Sequence, residues 1–402
     1  MSNVIVIGAG QAGASLVIKL RKIGYKGKIT LIGDEEVLPY QRPPLSKGYL
    51  LGDMSLERLF LRPQKYYDEN DITLRLGMPV DSINSDTQKV NFGDEELSYD
   101  QLVLATGSKP ILLPTSIGGK LEGVYSVRNL NDVDLMEPEF RPGRTVLIVG
   151  GGYIGLEAAA VASKKGLKVI LVEMADRILQ RVAAMETSDY FRTLHKNNNV
   201  DICEGVGLKK LIGDVRVTGA ILSDNSEINI DFVISGIGVS PNTLLAEKAG
   251  VEIDNGIKTD KYGKTSDQSI WSAGDCASLL FEGRRIRLES VQNAIDQAEC
   301  VADNIMGNKK EYNPKPWFWS DQYDTKLQIA GLNTGYNKIV TRTGNNASIS
   351  YWYYRDDKLL AVDAMNDPRC YMVGKRLIEM GKSPDRVLVE DKSFDLKLLL
   401  KT

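Results

Sequence analysis

The chain has 402 residues, 43% hydrophobic and 26% charged, the balance of a soluble globular protein of about two to four domains. Fifty basic against fifty-three acidic side chains leave a formal net charge of −3, which argues against bulk nucleic-acid binding and leaves only local basic patches open. The four cysteines (Cys203, Cys276, Cys300 and Cys370) form no CxxC or close pair, which speaks against a disulfide framework, a zinc site, an internal iron–sulfur cluster and a dithiol-type reductase.

The first element begins at Val4. The run Val4-Ile-Val-Ile7 reads as a buried parallel strand, and Gly8, Gly10 and Gly13 form a GxGxxG turn. Ala14 to Ile23 carries apolar residues at helical spacing, and residues 28–32 form the next strand, ending at Gly33-Asp34-Glu35. No positive charge precedes the apolar stretch 2–18, so it is read as part of this unit rather than as a targeting segment, and the protein as cytoplasmic. The apolar stretch Val146 to Ala162 holds four glycines and Glu157, unlike a spanning helix of about 20 mostly apolar residues.

The same pattern recurs about 140 residues later. Thr145-Val-Leu-Ile-Val149 is the strand, Gly150, Gly152 and Gly155 the turn, a helix runs to about Lys165, and residues 168–172 lead to Glu173. Asp34 lies 21 positions after Gly13, and Glu173 lies 18 after Gly155. An acid about 20 residues past such a turn is where ribose hydroxyls are held in a dinucleotide fold. One such turn is weak evidence. Two complete strand–turn–helix–strand–acid units point to two dinucleotide pockets, with each helix N-terminus presenting N–H groups to a pyrophosphate. A carboxylate at Glu173 would also repel a 2′-phosphate, favouring NADH over NADPH, while Arg177 and Arg181 nearby pull the other way.

His195 is the only histidine. It lies in the polar stretch Leu-His-Lys-Asn-Asn and is expected at the surface, and without a second histidine a histidine-based nucleophile or metal mechanism is disfavoured. Residues 200–240 alternate apolar and polar as sheet does, and Ile237-Gly238-Val-Ser-Pro-Asn242 follows. A strand within 265–276 runs into Gly274-Asp275, a helix is expected from about Ser290 to Met306, and strand texture dominates from about residue 314 to about Asp363 ahead of C-terminal helices.

Five segments carry a resemblance that covers the whole chain: Leu38-Pro-Tyr-Gln-Arg-Pro-Pro-Leu-Ser-Lys47, Leu104-Ala-Thr-Gly107, Gly150-Gly-Gly-Tyr-Ile-Gly-Leu-Glu157, Ser272-Ala-Gly-Asp275 and Trp317-Phe-Trp-Ser-Asp-Gln322. The chain resembles the FAD-dependent ferredoxin and rubredoxin reductases that serve bacterial oxygenases. The first and last segments are the specific ones; Ala-Thr-Gly and Gly-Asp are shared across the wider two-dinucleotide superfamily.

The resemblance implies an α/β fold with two Rossmann-like dinucleotide-binding domains, of the glutathione-reductase-like kind, plus a sheet-rich α+β C-terminal domain. The FAD domain would be discontinuous (1–110 and 242–315), with an NAD(H) domain at 111–241 and the C-terminal domain at 316–402. Gly8, Gly10, Ala12, Gly13 and Asp34 would hold the FAD pyrophosphate and ribose. Arg42 and Lys47 would lie along the flavin, and Val80 would contact the adenine side. Ala105, Thr106, Gly107 and Arg128 would pass beside the cofactor. Asp275 would take the ribityl chain or pyrophosphate, Val291 would approach the ring, and Trp319 would pack near its face. Gly150, Gly152, Tyr153, Ile154, Gly155, Glu157, Glu173 and Gly238 would hold the nicotinamide dinucleotide. Taken without the motifs, Lys47 reads as a surface lysine, Glu157 as a helix N-terminal acid, and Trp317 with Trp319 as core residues sharing one face of a strand.

The implied chemistry is hydride transfer from NADH to FAD, then single-electron transfer to a small iron–sulfur partner, a [2Fe–2S] ferredoxin or a rubredoxin, by a monomer or weak dimer without metal, membrane or nucleic acid. Lys47 and Glu157 are the catalytic candidates. Docking patches are sought at Arg62 with Lys65, at Arg284, Arg285 and Arg287, and at Lys309, Lys310 and Lys315. Glu299 departs from the family pattern, which places arginine at that point. The rival readings are an NADH oxidase or monodehydroascorbate-type reductase, and a flavin-binding protein like apoptosis-inducing factor.

Overall fold

The computed structural model describes residues 2–345 and 348–401. Their contacts divide the chain into two units, each assembled from three segments: 1–41, 55–109 and 239–316 in the first, and 42–54, 110–238 and 317–402 in the second.

The first unit is built on a five-stranded parallel sheet in the order Ile270–Ser272, Gln101–Leu104, Asn3–Ile7, Lys28–Ile32, Ile72–Arg75. Its central strands are apolar at almost every position because both faces are covered. On one face Val4, Val6, Ile29, Leu31 and Val103 pack with Leu16, Val17 and Leu20 of helix Gln11–Lys22 and with Ala298, Val301 and Ala302 of helix Val291–Ile305. On the other, Ile5, Ile7, Leu102 and Leu104 pack with Ile83, Val90 and Phe92 of a three-stranded antiparallel sheet.

The second unit repeats the scheme. Its parallel sheet runs Val200–Glu204, Lys168–Glu173, Thr145–Val149, Phe232–Ser235, Val124–Ser126, and helix Tyr153–Lys164 follows the central strand. A three-stranded antiparallel sheet over 208–229 closes one face with Leu211, Ala220 and Leu222. Residues from Trp317 onward add an antiparallel sheet in the order Trp317–Gln322, Thr325–Gly331, Lys358–Met365, Ile349–Arg355, Lys338–Thr343. Helix Pro368–Glu379 packs Cys370, Val373 and Leu377 against Trp352 and Val362 of that sheet.

His195 corrects the reading from sequence. It is fully buried on helix Met185–Asn197 rather than at the surface. Its ring bonds Gln322 and Tyr323, which lie more than a hundred residues further along the chain, so the polar stretch around it gave no sign of them. Among the described residues no helix is long and apolar enough to cross a membrane.

Candidate functional site

In the first unit the strand Asn3–Ile7 ends at Gly8, whose φ of +111° is open to glycine and strained for other residues. A Cβ there would lie 2.1 Å from the Ala105 carbonyl oxygen, and one at Gly13 would lie 2.0 Å from the Gly8 oxygen. These two glycines let the turn, the helix start and the Leu104-Ala-Thr-Gly107 segment close on one another. Gly10 differs: among the described residues, a Cβ on it would meet no atom within 4 Å, and no side chain caps the helix it begins. Open space above uncapped N–H groups at a 12-residue helix start fits an anionic pyrophosphate. Asp34 is exposed at the end of the next strand. Beside it the Met78 N–H donates to the Gly33 oxygen at 2.9 Å, which brings the segment carrying Val80 to the same strand end.

The Gly-Asp turn reaches the same place. A Cβ on Gly274 would stand 3.0 Å from the Ala12 Cβ, and the Gly274 N–H donates to Gln297 Oε1 at 2.9 Å. Ser108 Oγ donates to the Asp275 carboxylate at 3.1 Å. Thr106 Oγ1 donates to the Asn242 carbonyl at 2.7 Å, and Asn242 Nδ2 returns a bond to the Thr106 carbonyl at 2.9 Å. The first unit thus gathers Gly8, Gly10, Ala12, Gly13, Ala105, Thr106, Gly107 and Asp275. Val291 begins the helix capped by Ser290, whose Oγ accepts from the Asn293 N–H. Ser108, Asn242 and Gln297 were not singled out from sequence, because each acts through one hydrogen bond that no motif marks.

The second unit repeats the turn. Gly150 has φ +109°, and a Cβ on it would approach the Gly236 oxygen to 2.5 Å. One on Gly155 would reach the Gly150 oxygen at 2.1 Å, while one on Gly152, among the described residues, would meet nothing within 4 Å. Again no described side chain caps the helix. Glu173 is already engaged: Oε2 accepts from the Gly151 N–H at 2.7 Å and Oε1 from the Ala175 N–H at 2.8 Å, which fixes the carboxylate beside the turn. Arg177 is turned inward onto Ser188 and the Ala183 and Ala184 carbonyls. Arg181 lies beside Gly238, its Nη2 3.8 Å from where a Cβ on that glycine would stand.

Lys47 and Glu157 meet in this unit. Lys47 Nζ stands 2.7 Å from Glu157 Oε2, with the lysine side chain 18% exposed and the glutamate 5%. Ser46 Oγ donates to Oε2 at 2.8 Å and Ser320 Oγ to Oε1 at 2.6 Å. A buried carboxylate needs such donors, since an oxygen taken out of water without a hydrogen-bond partner is costly. Ser46 and Ser320 were present in two of the sequence segments without a role; their convergence on Glu157 is a property of the fold. Tyr153 stacks its ring on Phe318 at 4.9 Å between centroids, and burial pushes its hydroxyl well above the usual phenol range. Ile154 stays exposed. Trp319 lies 5.6 Å from Trp317, ring centre to ring centre, as expected for alternate residues of one strand. Arg42 Nη1 donates to the Arg128 carbonyl at 2.8 Å.

The basic clusters are largely satisfied within the chain. Arg285 bonds the Thr259 and Ser278 carbonyls and lies 3.4 Å from Asp254; Arg287 pairs with Glu289 at 2.8 Å and Lys310 with Asp303 at 2.9 Å. Lys65 faces Glu69, and Arg62 lies over the Tyr66 ring. Glu299 sits 3.5 Å from Lys19. The four cysteines are free thiols, and among the described residues no three His, Cys, Asp or Glu side chains gather as a metal site.

Two family models match: pyridine nucleotide-disulphide oxidoreductase over residues 2–298 and reductase C-terminal over residues 317–400. The chain is 41% identical to rhodocoxin reductase of Rhodococcus erythropolis, covering 99% of this chain and 94% of that one. It is 39% identical to putidaredoxin reductase of Pseudomonas putida, covering 99% and 96%. A solved structure of a covalent putidaredoxin reductase–putidaredoxin complex matches with a TM-score of 0.96 at 37% identity, over 100% of this chain and 98% of that one.

Proposed function

The chain belongs to the pyridine nucleotide-disulphide oxidoreductase family, in its ferredoxin-reductase branch, and we propose that it is a cytoplasmic NADH-dependent reductase of a small iron–sulfur protein, a [2Fe–2S] ferredoxin or a rubredoxin, in an oxygenase electron chain. The observation that carries this reading is the pair of open, uncapped glycine turns, one in each unit, in a chain whose cysteines are all free thiols. Each turn offers a seat for one dinucleotide. Relatives named for rhodocoxin and putidaredoxin supply the partner class.

We assign 1–110 and 242–315 to FAD binding, 111–241 to NADH binding and 316–402 to the C-terminal domain, noting that Arg42–Met54 packs within the second unit. When bound, FAD supplies hydride acceptance from NADH and release of single electrons to the partner. The protein's task is to bind and orient. Gly8, Gly10, Ala12 and Gly13 offer backbone to the FAD pyrophosphate, Asp34 offers acceptors to its ribose, and Asp275, braced by Ser108, lies beside the turn. Gly150, Gly152 and Gly155 do the same for NADH, with Glu173 held where a 2′-phosphate would meet a carboxylate. Arg177 is committed to internal acceptors and so is poorly placed to offset that repulsion. Lys47 supplies positive charge for the hydride step, and Glu157 fixes its ammonium.

The test is cytochrome c reduction with NADH against NADPH, with and without a panel of ferredoxins and rubredoxins. NADH is expected to dominate, and the rate to depend on one of the added iron–sulfur proteins. A fast NADH-to-oxygen rate that no partner improves would contradict it.

A further inference from the structure

Glu157 is one end of a longer buried chain of hydrogen bonds, and the direction of every bond in it can be worked out. A carboxylate only accepts, so Ser320 must donate its hydroxyl hydrogen to Glu157 Oε1 at 2.6 Å. The Ser320 oxygen is left as an acceptor and takes a hydrogen from Gln322 Nε2 at 3.1 Å. The Gln322 amide is then oriented with Oε1 toward His195 Nε2, 2.8 Å away, and that oxygen can only accept. Nε2 of the imidazole therefore carries its hydrogen. Nδ1 is the acceptor, 3.2 Å from the Tyr323 hydroxyl. Ser320, Gln322 and His195 are all buried. Burial lowers the His195 pKa to about 4, so the ring is neutral and one of its nitrogens is free to accept; burial likewise pushes the Tyr323 hydroxyl up to about 12, keeping it a donor.

Each donor along Tyr323, His195, Gln322 and Ser320 points toward the same carboxylate, where Ser46 and Lys47 also converge. With the opposite polarity, Ser320 would turn its hydroxyl onto Gln322 and present a lone pair to Glu157. The charge on Glu157 thus selects one of two mirror arrangements of the chain. We infer that His195 and Gln322 are positioning residues: in its Nε2–H tautomer His195 locks the Gln322 amide, which holds the Ser320 hydroxyl on Glu157 and so fixes the Lys47 ammonium for the hydride step. The inference rests on the assignment of Lys47 and Glu157 to that step.

Because His195 is the only histidine, ring nitrogen NMR of the FAD-loaded protein gives a single set of signals. At neutral pH the wild type is expected as the Nε2–H tautomer. In Glu157→Gln the new amide can keep its oxygen toward Lys47 and donate to Ser320, which reverses the chain and moves the proton to Nδ1. In Ser320→Ala the link is cut and the two tautomers mix. Anaerobic flavin reduction by NADH supplies the second readout. His195→Leu, or Gln322→Leu where that variant does not fold, is expected to slow reduction about fivefold, the equivalent of one supporting hydrogen bond, with NADH affinity unchanged. His195→Gln restores a donor toward Gln322 and should recover most of the rate. An Nδ1–H ring in the wild type, the same tautomer in wild type and Glu157→Gln, or a wild-type rate in the folded leucine variant would overturn the inference. A wild type that NADH does not bleach would instead count against the proposed function, and the tautomer readout would be unaffected.

Discussion

Two buried groups of the second unit should respond to pH in opposite senses, and two single substitutions separate them. Asp363 is fully buried, accepts from the Tyr353 hydroxyl and from Thr187 Oγ1 at 2.8 Å, and burial raises its pKa to about 6. Burial lowers that of His195 to about 4. Between about pH 4 and 6 the folded chain holds a proton on Asp363 that the unfolded chain has lost, so this group's contribution to stability falls as pH rises. Over the same range the unfolded chain holds a proton on His195 that the folded chain lacks, so that contribution rises with pH. Each shift is roughly two units, or about 3 kcal/mol across the window, and in the wild type the two nearly cancel. Relative to wild type, Asp363→Asn should gain stability as pH rises through the window, and His195→Gln should gain stability as pH falls through it. Thermal melts of the three FAD-loaded proteins at half-unit steps would show the two difference curves sloping in opposite directions. Curves of the same slope, or two flat ones, would refute the burial argument for both residues.

Gly10→Ala should fold and melt within about 1 kcal/mol of wild type without cofactor, because its Cβ enters open space, yet hold FAD at least about tenfold more weakly in a flavin-release titration. Gly13→Ala should fail differently, with low soluble yield, since its Cβ collides with the Gly8 carbonyl. Lys47→Met should retain FAD but show flavin reduction by NADH slowed at least about tenfold, because it leaves Glu157 buried without its cation. Glu173→Gln keeps an acceptor for the turn and removes the charge, so the NADPH-to-NADH ratio of kcat/KM should rise about tenfold or more.

The parts of this fold that were legible in sequence are those with a local period. Runs such as Val4–Ile7 and Thr145–Val149, each followed by spaced glycines, state strand, turn and helix in adjacent residues, and the structure has them there. The expected helix near 290–306 and the strand-rich region after Pro316 follow the same logic. What escaped was set by partners distant in the chain. His195 looked like a surface residue because its neighbours are polar, whereas Gln322 and Tyr323 bury it from a strand and turn far along the chain. Ser46 and Ser320 were visible as letters in two motifs, but nothing in either segment says that both bond one carboxylate. The partners of the basic runs were hidden in the same way. Charge counted along the chain does not show that Arg285 is spent on carbonyls or that Lys310 faces Asp303.

In the proposed reaction electrons enter from NADH and leave one at a time to an iron–sulfur protein. Anaerobic stopped-flow tests it most directly: the FAD-loaded protein is mixed with one equivalent of NADH, then with an oxidised [2Fe–2S] ferredoxin or rubredoxin. The flavin absorbance is expected to bleach on the first mixing and return on the second as the partner is reduced, two partner molecules per NADH. A flavin that NADH leaves oxidised, or one that NADH reduces but only oxygen reoxidises across the whole partner panel, would contradict it.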